Sequence, residues 1–411
     1  MGKSIYFKLL LLLSVFCSAY FRIYQNLAES KQFFWDSMVY YCGPFIFSQT
    51  GNGYGPLVDC SKELTNFKFV YLPIYLRILN FHITTPENFE IIWISILTLS
   101  VLLVVFCMQK IYGGMSLIMS LFVSIFSFRS IPLYGYISGN ISSILYVSTT
   151  IGLMLSISNK PRIRDMGIIL ITLPSLFKIH MILFLLVPFA ITKSRDINKL
   201  LVLAISPFAF ILINSWLYPE EFTLLSKNIA ILPYIGDMGV GSLQVINYIK
   251  SNLLGVGIPF KSGAHDWLIG PNEIDKVDFL IDYIAYTALL IFVIFRIYKI
   301  KFIKLSNNPR IERNLKFSIA IVGVYLLIPR LKQYDMLICG IPTIYLVNSI
   351  FLNDGIKKFK LSFKAEYMIL LLNTMILGFY NIKGDNYFIY PIILSIFLLT
   401  ILSIDKIKSD I

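Results

Sequence analysis

Apolar runs separated by short polar connections repeat along nearly the whole chain. Most of these runs approach the roughly 20 residues that a helix needs to cross the hydrocarbon of a bilayer. The pattern predicts an all-α polytopic integral membrane protein that forms a single domain over residues 1–411. We expect about 12 transmembrane helices, counting two in the fifth run, in the runs 5–24, 89–108, 115–128, 141–157, 166–191, 200–217, 279–297, 317–328, 336–351, 367–380 and 388–404.

The run at 166–191 differs from the others in length and interruption. It is too long for one crossing and too short for two full ones, and Pro174 and the Lys178-Ile179-His180 segment break it. Basic residues lie at both of its ends. We therefore predict two short helices that meet at an outer turn, where Lys178 and His180 lie.

Two long polar segments, 25–88 and 218–277, interrupt the apolar pattern. Within the first, the stretch 67–81 is apolar but contains Pro73 and Arg77, so we expect a helix along the membrane surface. Cys42 and Cys60 share this segment and would be able to form a disulfide in an oxidising compartment, although spacing alone leaves the pairing open.

Composition supports the membrane assignment. Hydrophobic residues make up 57% of the chain, and charged residues make up 14%, against about 25% in soluble domains. The net charge of +13 comes from lysines and arginines in short connections such as 299–316, which indicates cytoplasmic loops rather than a nucleic-acid surface. This distribution predicts a multi-pass plasma-membrane protein with both termini cytoplasmic and both long polar segments extracytoplasmic.

Asp36 is the candidate for chemistry in the first polar segment. It follows three bulky aromatic residues, and a carboxylate in such a position can act as a general base towards a substrate hydroxyl. The alternative is a helix cap for the segment that starts at Ser37. Position 38 is Met, so no Asp-x-Asp metal motif follows, and the three histidines are scattered; we therefore expect neither a metal nor a cofactor.

Cations gather at the same predicted outer face. Lys178 lies between apolar helices, and Arg330 and Lys332 follow the run 317–328 directly. Three converging cations suit a phosphate group whose lipid tail lies in the bilayer. Snorkelling of single side chains towards the membrane interface is the alternative for each of them.

Five short motifs follow one another along the chain: Asp36 with Val39-Tyr40-Tyr41, Phe69-x-Tyr71-x-Pro73, Gly139-Asn140, Lys178 and 329–335. Their order resembles the integral membrane glycosyltransferases of the C superfamily, above all the bacterial mannosyltransferases that use polyprenyl-phosphate mannose and their arabinofuranosyl relatives. The resemblance covers roughly residues 1–350. It departs from the family at Asn140, where the family has Gln, and at Tyr334-Asp335, which replace a histidine motif, and these departures leave donor and acceptor open.

The resemblance implies a glycosyltransferase C-like fold with juxtamembrane helices in the first outer segment, which would be catalytic. The reaction would move mannose or another sugar from a polyprenyl-phosphate donor to a glycan or glycolipid acceptor. Asp36 would be the general base and the anomeric centre would invert. The remaining site residues would bind substrate: Tyr40, Tyr41, Tyr71, Asn140, Lys178, His180, Arg330, Lys332, Tyr334 and Asp335.

Two other classes of membrane protein remain open at this point. An oligosaccharide polymerase of the O-antigen type would rely on arginines in its outer loops, and the segment 218–277 contains none. A transporter or flippase often has internal repeats and acids buried within its helices. We find no clear repeat in this sequence, and the apolar runs contain almost no acidic residues.

Overall fold

The fold is known from a computed structural model. Three of the predicted helices, those at 5–24, at most of 115–128 and at 367–380, lie outside the described residues. Within the described part every regular element is a helix, and it contains no strand. The described residues are 35–61, 64, 68–79, 85–113, 120–121, 123–124, 138–191, 197–229, 241–253, 276–329, 333–351 and 389–409.

The described residues form α-helices and short 3-10 helices. Three 3-10 helices, Leu173–Leu176, Ile179–Leu185 and Gln333–Ile338, interrupt the α-helices. The α-helices are α1 Trp35–Thr50, α2 Pro73–Ile78, α3 Pro86–Tyr112, α4 Ser142–Ser156, α5 Pro161–Thr172, α6 Leu186–Phe189, α7 Ile197–Leu217, α8 Pro219–Ile229, α9 Ser242–Leu253, α10 Lys276–Phe302, α11 Pro309–Leu327, α12 Gly340–Phe351 and α13 Ile389–Ser409.

Three of these helices are long and apolar enough to cross a membrane: Asn88–Tyr112, Ile197–Leu217 and Leu280–Phe302. At 1.5 Å per residue, their 21 to 25 residues exceed the roughly 30 Å of a bilayer core. The all-α class is therefore confirmed for the described residues, and the three long apolar helices support a membrane protein. The count of twelve crossings stays a prediction.

Helix α3 is longer than the predicted run 89–108 because both of its ends are specified by local signals. The Thr85 hydroxyl accepts a hydrogen bond from the Asn88 backbone N–H at 3.4 Å, and Pro86 occupies the first turn. At the other end, Gly113 has a φ of 66°, a conformation that favours glycine, and it stops the helix after Tyr112.

Helix α11 lies at the centre of the described bundle, where it contacts α10, α12 and α13. Every residue from Asn314 to Leu327 is buried. We expected the helix to begin at 317, with a basic connection before it, but it begins at Pro309 because the Asn308 side chain caps it. Lys316 is accordingly helical and buried, where it pairs with Glu312 at 2.9 Å.

The interrupted run at 166–191 has the predicted break. Helix α5 ends at Thr172, and a 3-10 turn with Pro174 follows it. Lys178 is extended, with φ −126° and ψ 98°, before the next 3-10 helix. The chain therefore reverses at Lys178 as the sequence predicts.

The two long polar segments pack against each other. Asn214, at the end of α7, accepts a hydrogen bond from the Ile74 backbone N–H at 3.2 Å. Arg77 donates to Glu221 at 2.8 Å, and the Asn228 side chain donates to the carbonyls of Tyr54 and Phe69 at 3.3 Å. The prediction that both segments lie on the extracytoplasmic side of a membrane stays a prediction.

Local structure in these segments differs from the prediction in two respects. The surface helix expected over 67–81 is only the six residues of α2, because Pro73 starts a helix and cannot continue one. The segment 218–277, expected to be a polar loop, contains the amphipathic helices α8 and α9. The open question of Cys42 and Cys60 is answered by a disulfide, with 5.6 Å between their Cα atoms.

Candidate functional site

Polar side chains from four distant segments meet at one end of the bundle. Asp36 comes from the first turn of α1, and Asn140 and Ser142 come from the start of α4. Lys178 lies at the break after α5, and Asp335 lies in the 3-10 helix before α12. We refer to these five residues as the polar network.

Asn140 connects Asp36 to the rest of the polar network. Its Nδ2 donates to Asp36 Oδ2 at 2.8 Å, although 104 positions separate the two residues. Asn140 is buried, whereas Asp36 is partly exposed. The Asp36 carboxylate therefore bonds a distant side chain while keeping an open face, which is more than a helix cap requires.

Lys178 lies beside three oxygen atoms of the polar network. Its Nζ donates to Ser142 Oγ at 2.6 Å and to Asn140 Oδ1 at 3.1 Å, and it lies 3.8 Å from Asp335 Oδ1. The side chain is only 13% exposed. Because a buried cation needs a partner, these contacts explain how an ammonium is tolerated between apolar helices.

Ser142 links the lysine to the second carboxylate. Its Oγ lies 2.7 Å from Asp335 Oδ1 and 2.8 Å from Asn140 Oδ1. A hydroxyl has a single proton, so Ser142 donates to one of these acceptors at a time. Asp335 is itself buried, and the Tyr325 hydroxyl donates to its backbone carbonyl at 2.6 Å.

Aromatic side chains fix the turn that carries Asn140. The Tyr40 hydroxyl lies 2.9 Å from the Tyr71 hydroxyl and accepts from the Ile141 backbone N–H at 3.3 Å. Trp93 Nε1 donates to the Gly139 carbonyl at 2.7 Å. Gly139 has a φ of 68°, which favours glycine and turns the chain into α4.

The other predicted site residues are more dispersed. Tyr41 is buried, with its ring against Phe45 and Phe89. His180 follows Lys178 in the 3-10 helix, and its Nε2 is shielded from solvent without a hydrogen-bond partner among the described residues. The Tyr334 backbone lies in the same 3-10 helix as Asp335, whereas Arg330 and Lys332 lie outside the described residues.

Ser142 and Trp93 were missed by the sequence analysis. Ser142 could have been selected, because a serine at the start of a predicted helix is a typical capping residue. Trp93 lies inside an apolar run and carried none. In the part of the chain that the structure describes, no three His, Cys, Asp or Glu side chains form a potential metal site, and the expectation of metal-free chemistry stays a prediction.

Comparison with known proteins identifies no relative of this chain, so the chemistry of the site must be argued from its own residues. No family model matches the chain, and no curated protein and no solved structure matches it either. The resemblance to glycosyltransferases therefore depends on the sequence motifs alone.

Proposed function

We propose that this protein is a membrane glycosyltransferase that moves a sugar from a polyprenyl-phosphate donor to the hydroxyl of a glycan or glycolipid acceptor. The observation that carries the proposal is the bond from Asn140 to Asp36, which joins a partly exposed carboxylate to a nearly buried lysine. An acid poised at the edge of the membrane next to a cation suits proton removal beside a phosphate leaving group.

Asp36 acts as the general base in this proposal. Its carboxylate takes the proton of the acceptor hydroxyl while the oxygen forms a bond to the anomeric carbon. The bond between that carbon and the donor phosphate oxygen breaks, and its electron pair leaves with the phosphate. A direct displacement of this kind inverts the anomeric centre.

Lys178 stabilises the charge that develops on the departing phosphate. Asp36, Lys178 and Asp335 together carry one positive and two negative charges when ionised, so a phosphate needs further cations. Arg330 and Lys332, five and three positions before Asp335, are the proposed source of that charge.

Two features support an extracytoplasmic site in a plasma membrane. Disulfides persist in oxidising compartments, and the Cys42–Cys60 bond lies in the segment that follows Asp36. The basic residues of 299–316, which lie at the facing ends of α10 and α11 and between them, follow the positive-inside rule for the cytoplasmic side. The twelve crossings, the cytoplasmic termini and the glycosyltransferase C-like fold belong to the same proposal.

The test is label transfer in membranes that contain the protein, a labelled polyprenyl-phosphate sugar and a pool of glycan acceptors. Asp36→Asn keeps the shape of the side chain but removes the base, so we expect transfer to fall by roughly 100-fold or more. Asp59→Asn changes an exposed acid in the same polar segment and is the matched control, with transfer unchanged. Equal transfer by wild type and Asp36→Asn would exclude Asp36 as the base.

A further inference from the structure

A groove lies between α5 and α7, far along α5 from the polar network. Its volume is about 400 Å³. Asp165 lies near the start of α5, whereas Lys178 follows its end. The groove and the candidate site therefore lie at opposite ends of α5. The lining includes Asp165, Ile169, Asn198, Lys199, Val202 and Leu203.

The walls of the groove are apolar and open outwards. Ile169 is 47% exposed and Val202 is 68% exposed. Helix α7 is one of the three described helices that are long and apolar enough to cross a membrane. Only 17% of its most apolar 18-residue stretch is buried within the protein. In a bilayer, such a helix would present these apolar side chains to lipid chains.

One ion pair lies in this apolar surface. Lys199 Nζ donates to Asp165 Oδ2 at 2.7 Å, and the two side chains remain 49% and 35% exposed. Asp165 Oδ1 has no hydrogen-bond partner among the described residues. Oδ1 is shielded from solvent, and the carboxylate therefore has accepting capacity that Lys199 does not use.

We propose that this groove binds a phospholipid whose headgroup carries both a phosphate and a primary ammonium group, as in phosphatidylethanolamine. The acyl chain lies along Ile169 and Val202, the phosphate contacts the Lys199 ammonium, and the ammonium of the headgroup donates to the Asp165 carboxylate. Basic residues at the start of α5 indicate the cytoplasmic leaflet; they are Lys160, Arg162 and Arg164. This site is independent of the proposed transfer reaction.

Native mass spectrometry of the purified full-length protein tests the proposal with three lipids of equal chain length: phosphatidylethanolamine, phosphatidylcholine and phosphatidylglycerol. We expect wild type to retain the ethanolamine lipid about threefold to fivefold more than the other two, because its headgroup alone offers charged N–H donors to the carboxylate, whereas the hydroxyls of phosphatidylglycerol are neutral donors and the choline ammonium has no N–H. Asp165→Asn should remove this preference. Val202→Trp fills the groove without changing any charge and should reduce retention of all three lipids.

The matched control is the pair of Arg296 and Asp405, which also joins two helices at the protein surface, at 2.9 Å. Arg296→Gln should leave both retention and preference as in wild type. Val202 faces outwards, so its variant keeps the fold, which thermal unfolding can verify. Equal retention of the three lipids by wild type, or an undiminished preference in Asp165→Asn, would overturn the proposal.

Discussion

The Asn140 side chain donates a 2.8 Å hydrogen bond to the Asp36 carboxylate, although the two residues are 104 positions apart in the chain. Its carbonyl oxygen accepts from Lys178 at 3.1 Å. The Asn140 amide thus lies between the acidic side chain of Asp36 and the cationic side chain of Lys178 and bonds both. Asn140 therefore sets the distance between Asp36, the proposed general base, and Lys178, which is proposed to bind the donor phosphate.

Asn140→Ala should therefore reduce both stability and transfer. The change leaves Asp36, Lys178 and Ser142 without a shared partner, and losing hydrogen bonds to charged groups costs about 1.5–3 kcal/mol. Thermal unfolding in detergent measures the loss of stability. Asn88→Ala, at an exposed position, is the control and should change the midpoint little; an equal shift in both variants would contradict the bridging role.

The contact between the two long polar segments should depend on pH. Partial burial raises the pKa of Glu221, but hydrogen bonds from Arg77 and from its own backbone, together with the Arg77 charge, outweigh that effect and hold the pKa below its usual value. The stabilisation is therefore complete above the unfolded-state pKa and is lost as the pH falls through the lower folded-state pKa.

Unfolding midpoints of wild type and Glu221→Gln, measured from pH 7 downwards, check this linkage. The variant should lose the part of the acid dependence that the Arg77 pair causes. The pair of Arg77 and Glu221 is partly exposed, so we expect it to contribute only about 0.2–1 kcal/mol to the free energy of unfolding. Glu220→Gln removes the neighbouring exposed acid and should keep the wild-type profile; a Glu221→Gln profile that overlays wild type would refute the assignment.

Helices α4 and α5 approach each other closely at two glycines. A Cβ atom on Gly167 would lie 2.6 Å from the Gly152 carbonyl oxygen, and one on Gly152 would lie 2.6 Å from the Gly167 carbonyl oxygen. Gly167→Val should destabilise the protein by about 1–3 kcal/mol, because the helices must separate. Gly55→Ala, with its nearest neighbouring atom at 3.9 Å, is the tolerated control in the same unfolding measurement.

The Cys42–Cys60 disulfide closes a segment with a sequence separation of 18 and should contribute about 3 kcal/mol. Reductant should lower the unfolding midpoint of wild type to that of the Cys42→Ser/Cys60→Ser variant. The same reductant should leave that variant unchanged, which controls for effects on the three remaining cysteines, Cys17, Cys107 and Cys339. A wild-type midpoint insensitive to complete reduction would show that the bond does not stabilise the segment.

Local signals allowed part of this fold to be predicted. The apolar periodicity identified the helical runs. Pro174 and Lys178 marked the break in 166–191, because proline interrupts an α-helix and a charged lysine is costly within a membrane span. Helix ends were less accurate. Asn308 and Thr85 extend α11 and α3 beyond their apolar runs, since capping depends on single side chains rather than on hydrophobicity.

The site itself was only partly predictable. Asp36, Asn140, Lys178 and Asp335 were selected from the sequence, and the structure brings them together. Their connection through Ser142 depends on long-range packing of α4 against the 3-10 helix Gln333–Ile338, which no local pattern encodes. Tyr40 is 1% exposed and supports the turn at Ile141, and its expected part in substrate binding stays a prediction.

The most direct measurement of the central claim separates donor binding from transfer in the same membranes. Labelled polyprenyl-phosphate sugar is titrated against wild type, Asp36→Asn and Lys178→Gln, and transfer to acceptor is followed in parallel. The account predicts that Asp36→Asn binds the donor as wild type does and fails to transfer the sugar, whereas Lys178→Gln binds the donor weakly. Wild-type transfer by Asp36→Asn, or unchanged donor binding by Lys178→Gln, would contradict it.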